Sequence, residues 1–308
     1  MKLIPDNTNI DFLGHRRLAL VISVLLLAAS VVCIAVRGFN FGIDFTGGVL
    51  IEVGYPSSVE LVEVREALNT AGYTDAVVQH FGTSQDVLIR LAPSANEASA
   101  DISTEVLKAL SANEAGIEMR RVEFVGPQVG EELTEQGGLA MLYALIGILV
   151  YVAFRFQYKF GLGAVTALFH DVVLTLGLFS ALQLNFDLPV LAALLAVIGY
   201  SLNDTIVVFD RIRENFLRMR KAESIEVMNV SVNQTLARTV MTSGTTLLTL
   251  IALFFLGGEV IHGFATALIM GVIVGTHSSI FVASATALEL GVKREDLLPP
   301  SDENEQNA

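Results

Sequence analysis

Six stretches of the chain are apolar over a length that can cross a bilayer and carry almost no charge. A membrane-spanning helix needs about 20 such residues, and the pattern predicts spans at residues 18–36, 137–154, 160–184, 188–209, 239–257 and 261–288. The first span follows Arg16 and Arg17 and stays apolar through Val36, which favours an uncleaved anchor over a cleaved signal peptide. The chain is therefore predicted to be a polytopic α-helical membrane protein with six transmembrane helices.

Residues 37–136 interrupt this pattern and predict one small α+β domain. Runs rich in β-branched residues predict strands at residues 49–53, 76–81, 87–91 and 117–125, and apolar residues at helical spacing predict two helices between them. Ser57 and Glu60 have the spacing of a capping box, which predicts that the first of these helices begins there. The resulting βαββαβ order is that of a ferredoxin-like domain, although such a fold does not by itself name a function.

Composition and charge narrow the class of protein further. Hydrophobic residues make up 53% of the 308 residues and charged residues 17%, against about 25% charged in average globular proteins. The net charge of −13 argues against nucleic-acid binding, which needs a basic surface. The single cysteine, Cys33, excludes an intramolecular disulfide and a cysteine-based zinc site. No metal or cofactor is predicted.

Lysine and arginine residues near the spans predict the orientation of the chain. With the N-terminus inside, the cytoplasmic segments carry thirteen of them, whereas the two short outer connections carry none. Residues 1–17, the loop 210–238 and the acidic tail 289–308 are therefore predicted to be cytoplasmic, and residues 37–136 to be periplasmic. This outer segment holds sixteen acidic and six basic residues, so most of the negative charge lies there.

Ionisable side chains within a span are costly and mark candidate functional sites. Asp204 lies about 9 Å from the cytoplasmic end of the fourth span, next to Asn203, and Arg238 opens the fifth span from the same side. These residues predict a proton pathway, with a static salt bridge between Asp204 and Arg238 as the alternative. His170 and Asp171, near the middle of the third span, are weaker candidates because hydrogen bonds between packed helices would also explain them.

Two further patterns accompany these charges. Thr242 and Thr246 belong to a hydroxyl-rich run that can hold water or relay a proton, or can simply bond to the backbone. The last span repeats small residues every four positions, including Gly271, Gly275 and Ser279, which predicts a helix-packing seam. His277 in that span is read as a core histidine and receives no role.

Several segments resemble signatures of the SecD/SecF family. They are, in order, GIDFTGG at residues 42–48, VGP at 125–127, RF at 155–156, HD at 170–171, GYSLND at 199–204, DRIREN at 210–215, QTLART at 234–239 and TSGTT at 242–246. The resemblance covers nearly the whole chain, and the single six-span unit with a small outer domain resembles the SecF branch. Gly42, Asp44, Gly47 and Gly48 belong to the first signature, which looks structural and links the membrane to the outer domain.

The resemblance implies a role in protein export and no enzymatic activity. Members of the SecF branch pair with SecD in a twelve-span assembly similar to the resistance-nodulation-division transporters. That assembly joins the SecYEG channel of the inner membrane and uses the proton-motive force to pull unfolded proteins outwards after the ATPase step. The family residues that match Asp204 and Arg238 are implicated in proton passage at the SecD–SecF interface. We therefore expect protonation of Asp204 to release Arg238 and so to move the outer domain.

Three other functions stay open from the residues alone. A self-contained proton-driven transporter of small amphiphiles or lipids would form homodimers and would not depend on a SecD-like partner. A passive translocon assembly subunit would tolerate neutral substitutions at Asp204 and Arg238. An intramembrane aspartyl protease would use Asp171 and Asp204, but their depths differ by about 7 Å, and no Gly-x-Gly-Asp element surrounds either residue.

Overall fold

The chain folds into a bundle of long apolar helices with a small sheet-containing domain inserted after the first of them. The computed structural model describes residues 8–93, 99–112 and 114–297. In chain order the elements are α1 (Arg16–Arg37), β1 (Asn40–Phe41), α2 (Ile43–Thr46), β2 (Gly48–Gly54), α3 (Leu61–Thr70), β3 (Val77–Phe81), β4 (Thr83–Leu91), α4 (Ser99–Ser111), β5 (Glu118–Val125), α5 (Pro127–Arg155), α6 (Tyr158–Leu182), β6 (Asn185–Phe186), α7 (Leu188–Arg218), α8 (Ser224–Leu256), α9 (Glu259–His277), a π-helical turn (Ser278–Ala283) and α10 (Ser284–Glu289).

Within the residues that the structure describes, six helices are long and apolar enough to cross a membrane, which confirms the predicted number of spans. They are α1, α5, α6, α7, α8 and a last helix in which α9, the π-helical turn and α10 run on without a break. More than half of the apolar window of α6 is buried within the chain, against 6% for α1. The centre of the bundle is therefore formed by α6, α7 and the last helix, while α1, α5 and α8 expose apolar faces to lipid or to partner helices.

The predicted cytoplasmic loop at residues 210–238 is largely helical in the structure. Helix α7 continues to Arg218 and α8 already begins at Ser224, so only a short connection separates them. Salt bridges from Glu214 to Arg211 and Arg218 link neighbouring turns of α7 and favour its continuation. The charges that end the apolar stretch thus do not mark the end of the helix.

Helix α5 also begins earlier than predicted. It starts at Pro127, ten residues before the predicted span, because proline suits the first turn of a helix, where its missing N–H is not needed. The extra turns lie against the short helix α2, and Thr134 donates a hydrogen bond to the carbonyl of Phe45 at 3.2 Å. This extension joins the membrane helix to the segment that leads into the outer domain.

The outer domain has the predicted βαββαβ succession of elements. Its four strands lie in the order β3-β4-β2-β5, and every neighbouring pair is antiparallel. Inward residues of β2, namely Val49, Ile51 and Val53, are fully buried against apolar residues of α3 and α4. Both helices therefore cover one face of the sheet, and the other face carries polar and apolar side chains together.

The capping box predicted at Ser57 is wrong. Helix α3 begins at Leu61, and no side chain caps it. The hydroxyl of Ser57 donates instead to Glu114, and the backbone N–H of Val59 bonds to the carbonyl of Ser84. Residues 55–59 bend at positions 56 and 57 and bond at both ends to the start of β4, so the helix starts only after them.

Candidate functional site within the helix bundle

Asp204 is buried on α7 and faces α8 across the bundle. Only 7% of the residue is exposed. Its Oδ1 accepts a hydrogen bond of 2.8 Å from the hydroxyl of Thr239. Its Oδ2 is buried and has no hydrogen-bond partner among the described residues. Asp204 therefore has one carboxyl oxygen held by Thr239 and a second, unbonded oxygen, and the hydroxyl of Ser279 lies near this carboxyl group.

Arg238 does not pair with Asp204 in this structure. The guanidinium lies on the exposed side of α8, and no salt bridge of the described residues joins it to Asp204. The next residue, Thr239, points inward and contacts the aspartate instead. Asn203 is also exposed. Among the described residues no salt bridge therefore joins Arg238 to Asp204, although the charge of Arg238 lies near enough to act on the carboxyl group.

The hydroxyl-rich run on α8 divides into two groups. Thr242 and Thr246 donate to backbone carbonyls one turn back, at 3.0 and 2.8 Å, so their hydroxyls are occupied within the helix. Ser243 is buried and lies between Tyr200, at 3.2 Å, and Thr276, at 2.7 Å. Besides the bond from Thr239 to Asp204, a second polar connection from α8 to α7 and α9 therefore runs through Ser243. The sequence did not distinguish Ser243 from its neighbours.

Asp171 is the centre of a second polar cluster and is completely buried. His170 Nδ1 lies 2.9 Å from its Oδ1. Its Oδ2 accepts hydrogen bonds from Ser278, at 2.7 Å, and from Ser201. Asp171 thus links α6 to α7 and to the last helix by hydrogen bonds. Hydrogen bonds between packed helices were the alternative considered for His170 and Asp171. His170 Nε2 is buried without a partner among the described residues and faces the ring of His277, with centroids 6.3 Å apart.

The π-helical turn places two consecutive serines against two different clusters. Ser278 contacts Asp171, and the hydroxyl of Ser279 lies 2.9 Å from that of Thr205, next to Asp204 in α7. A π turn inserts one residue into the helix and is frequent at functional sites. Because of this insertion, one short segment contacts both polar clusters of the bundle.

The small residues of the last helix pack against α7. A Cβ placed on Gly271 would lie 2.1 Å from a methyl carbon of Val197, and one on Gly275 would lie 3.2 Å from the Cβ of Ser201. Close approach of this kind needs small residues. Gly271 and Gly275 therefore allow α9 to lie close enough to α7 for the hydroxyl contacts of the π-helical turn.

The glycine-rich signature after α1 forms the junction between the bundle and the outer domain. Gly47 and Gly48 have positive φ angles of 67° and 123°, which favour glycine. A Cβ on Gly47 would lie 3.1 Å from the Cα of Pro127, and one on Gly48 only 2.2 Å from the carbonyl oxygen of Leu91. Gly42 donates its N–H to the carbonyl of Phe186 at 2.8 Å, which extends the parallel pairing of β1 with β6.

Asp44 of this signature contacts the N-terminus of α7. Its Oδ2 accepts a hydrogen bond of 2.9 Å from the backbone N–H of Leu188. Asp187, the residue before the helix, accepts from Val190 at 3.0 Å. Burial, and next to it the charge of Asp44, raises the pKa of Asp187 above its ordinary value, although the bond from Val190 opposes this shift. Two carboxyl groups thus lie at the positive end of α7.

A cleft of about 860 Å³ opens beside this junction. It lies between the uncovered face of the sheet and the outer ends of the helices, and both acidic and basic groups line it, among them Asp44, Arg90 and Glu123. Arg90 also donates hydrogen bonds to Asn40, at 2.6 Å, and to the carbonyl of Phe41. Within the part of the chain that the structure describes, no cluster of three or more histidine, cysteine or carboxylate residues could hold a metal ion.

Together, the helices, the outer domain and the buried carboxyl groups define a polytopic membrane protein with a polar centre inside its helix bundle. The family described as protein export membrane protein SecD/SecF, C-terminal, matches residues 105–293, and the SecD/SecF GG motif matches residues 34–55. The chain belongs to the SecD/SecF family.

Relatives over nearly the full length support this assignment. The chain is 51% identical to the protein translocase subunit SecF of Vibrio alginolyticus, over 99% of this chain and 97% of that one. The SecF of Pseudomonas aeruginosa is 50% identical over 94% of each chain. The full lengths of these relatives are thus matched almost completely.

Two solved structures of SecDF resemble the fold. The translocon-associated SecDF of Thermus thermophilus superimposes with a TM-score of 0.85 at 40% identity, and SecDF in a super-membrane-facing form with 0.69 at 41% identity. Each covers 94% of this chain, which spans about two fifths, 39%, of those longer chains. The fold of this chain is thus more similar to the first of these structures than to the second.

Proposed function

We propose that this chain is the SecF-type subunit of a complex that uses the proton-motive force to assist protein export. In this role it is not an enzyme. It pairs with a SecD-like subunit in the inner membrane and acts on unfolded proteins that leave a SecYEG-type channel. Its termini lie in the cytoplasm, and residues 37–136 lie in the periplasm. The family assignment supports this class of protein. The buried carboxyl group of Asp204 is the observation on which the proposed use of protons rests.

The surroundings of Asp204 suit reversible protonation. Thr239 holds one carboxyl oxygen, while the other has no partner among the described residues. Protonation of that oxygen turns an acceptor into a donor and removes a charge that is costly to bury. A charge that crosses the membrane potential yields about 2.3 kcal/mol per 100 mV. In this proposal that free energy drives a change in the packing of the helix.

The exposed polar side chains on α7 and α8 support the proposal that a partner chain packs on this face. Asn203, Arg238 and Thr242 lie exposed beside the buried Asp204, and only 17% of the apolar window of α8 is buried within the chain. Polar groups at membrane depth are stable where protein or water covers them. A SecD-like subunit packed on this face would cover Arg238 and bring further ionisable groups towards Asp204.

The test compares Asp204→Asn with Thr205→Val in vesicles that contain the SecD-like partner, the channel and its ATPase. Thr205 is the next buried polar residue on the same helix, and valine keeps its shape. We expect Asp204→Asn to reduce the part of export that depends on the proton-motive force at least tenfold, and Thr205→Val to stay within twofold of wild type. Wild-type export by Asp204→Asn would overturn the proposal and favour a passive assembly subunit.

A second measurement separates the transporter alternative. The chain is purified from membranes in mild detergent, and its associated proteins are identified. We expect a SecD-like subunit in near-equal amount. A homodimer that purifies alone and moves protons by itself would support a self-contained transporter of amphiphiles or lipids and would contradict the proposed function.

A further inference from the structure

The N-terminus of α7 is held by two carboxyl groups of different origin. Asp187 immediately precedes the helix and accepts the N–H of Val190, as an ordinary N-cap does. Asp44 lies 144 residues before Leu188 in the chain and accepts the N–H of Leu188. Because Asp187 already supplies the local cap, the bond from Asp44 adds a connection between α7 and another part of the molecule.

Asp44 is itself fixed to the outer domain. It lies in the short helix α2, which begins after Gly42 and ends before Gly47, and Gly48 then starts β2, an inner strand of the sheet. The Oγ1 of Thr134 in α5 bonds to the carbonyl of Phe45, the residue after Asp44. A single short segment of the chain, residues 42–48, thus joins the sheet directly to the N-terminus of α7.

The same helix carries the candidate proton site. Asp204 follows Leu188 by sixteen residues, or about 24 Å along a continuous helix. A helix transmits an axial shift over such a distance because its backbone hydrogen bonds run along its axis. A shift of α7 at Asp204 therefore reaches Asp44, and the cleft beside the junction leaves space for the sheet to move relative to the helix ends.

We propose that Asp44 is a positioning residue that couples the helix of Asp204 to the outer domain, through its hydrogen bond to the N–H of Leu188. The inference rests on the proposed function and adds to it the element that transmits the movement. The pairing of β1 with β6 also holds this segment beside the start of α7, but Asp44 bonds to the helix itself. Loss of this bond therefore weakens the coupling: protons still reach Asp204, but the outer domain follows α7 less.

The experiment measures proton flux and proton-driven export in the same vesicles, with the complete complex. Three variants are compared: Asp44→Ala, which removes the acceptor; Asp44→Asn, whose amide oxygen can still accept the N–H of Leu188; and Asp187→Ala, which removes a cap from the same helix end without breaking the connection. We expect proton-driven export by Asp44→Ala to fall at least tenfold, while its proton flux stays within threefold of wild type. Asp44→Asn should recover at least half of the export, and Asp187→Ala should stay within twofold.

Two results would overturn the inference. One is export by Asp44→Ala at half the wild-type level or more. The other is an equal loss of export in Asp187→Ala, which would reduce Asp44 to a second helix cap. If Asp44→Ala does not accumulate in the membrane, Asp44→Ser is measured in its place and judged by the same criteria. The serine hydroxyl ends one bond short of the position of Oδ2, so it does not take the place of that oxygen.

Failure of the proposed function gives a different pattern. In that case Asp204→Asn in the same vesicles has wild-type proton flux and wild-type export. If Asp204→Asn abolishes both while Asp44→Ala changes neither, the function stands and the coupling role of Asp44 is wrong.

Discussion

Replacing Gly271 with alanine tests the packing of α9 against α7 at the level of single atoms. The new Cβ would lie 2.1 and 2.6 Å from the two methyl carbons of Val197, whereas carbon atoms in contact are about 3.5–4.0 Å apart. Val197 is 1% exposed, and a β-branched side chain in a helix has essentially one rotamer. The overlap can therefore be relieved only if the two helices separate or Val197 leaves its rotamer.

The magnitude follows from a comparison with Gly199→Ala. Gly199 lies on α7, where an added Cβ meets nothing within 4 Å. Both substitutions gain the same helix propensity, about 1 kcal/mol, so this contribution cancels in the difference between them. What remains is the overpacking at Gly271, about 1–3 kcal/mol. We expect Gly271→Ala to have a free energy of unfolding lower than that of Gly199→Ala by this amount.

The assay is denaturant unfolding of the purified protein in detergent, followed by the loss of helical signal. A second substitution sharpens it: Val197→Ala removes the methyl carbons at 2.1 and 2.6 Å from the new Cβ and leaves the Cβ of residue 197 at 2.9 Å, so Gly271→Ala should cost less in the Val197→Ala background than in wild type. Equal stabilities of Gly271→Ala and Gly199→Ala, or an equal cost of Gly271→Ala in both backgrounds, would refute the close packing of α9 on α7.

Three further substitutions give expected results from the same structure. Gly48→Ala should lower the stability by more than about 2 kcal/mol, measured by thermal unfolding, because a positive φ of 123° and overlap with the carbonyl of Leu91 act together; a neutral effect would contradict the geometry of the junction. Ser278→Ala should cost about 1–3 kcal/mol in denaturant unfolding, since it removes a donor from the buried Asp171; unchanged stability would contradict that bond. Asp187→Asn keeps the acceptor for Val190 and removes the charge. Because the pKa of Asp187 is raised in the folded protein, mainly by burial, ionisation costs stability as pH rises through that pKa, and the cost is absent below the unfolded pKa of about 4. Asp187→Asn should therefore exceed wild type in stability at neutral pH and match it below about pH 4, and the opposite order at neutral pH would contradict the shift.

The spans and the order of elements in the outer domain could be predicted because each depends on local pattern. Length and hydropathy define a helix that crosses a bilayer, and alternation defines a strand. The helical extensions beyond residues 209 and before residue 239 were missed, since charge marks the edge of the membrane and is also compatible with a helix in water. The small-residue repeat around Gly271 indicated a packing surface, but not that α7 is its partner.

The contacts of the candidate site depend on the register between helices and could not be predicted in this way. Asp204 was predicted as a site from its charge within a span, and it is buried in the bundle. That Thr239 and not Arg238 contacts it depends on the rotation of α8, for which the sequence has no signal. The π-helical turn shifts Ser278 and Ser279 out of the regular repeat, and the bond from Asp44 to α7 joins residues that are far apart in the chain.

The most direct test of proton use by Asp204 is proton flux into vesicles that contain the complex of this chain with its SecD-like partner. The vesicles are energised to a fixed membrane potential, and wild type is compared with Asp204→Asn at equal protein content. The proposed mechanism predicts a flux above that of protein-free vesicles for wild type and its loss, at least tenfold, in Asp204→Asn. Equal flux in the two proteins would contradict the mechanism, because the buried carboxyl group would then carry no protons.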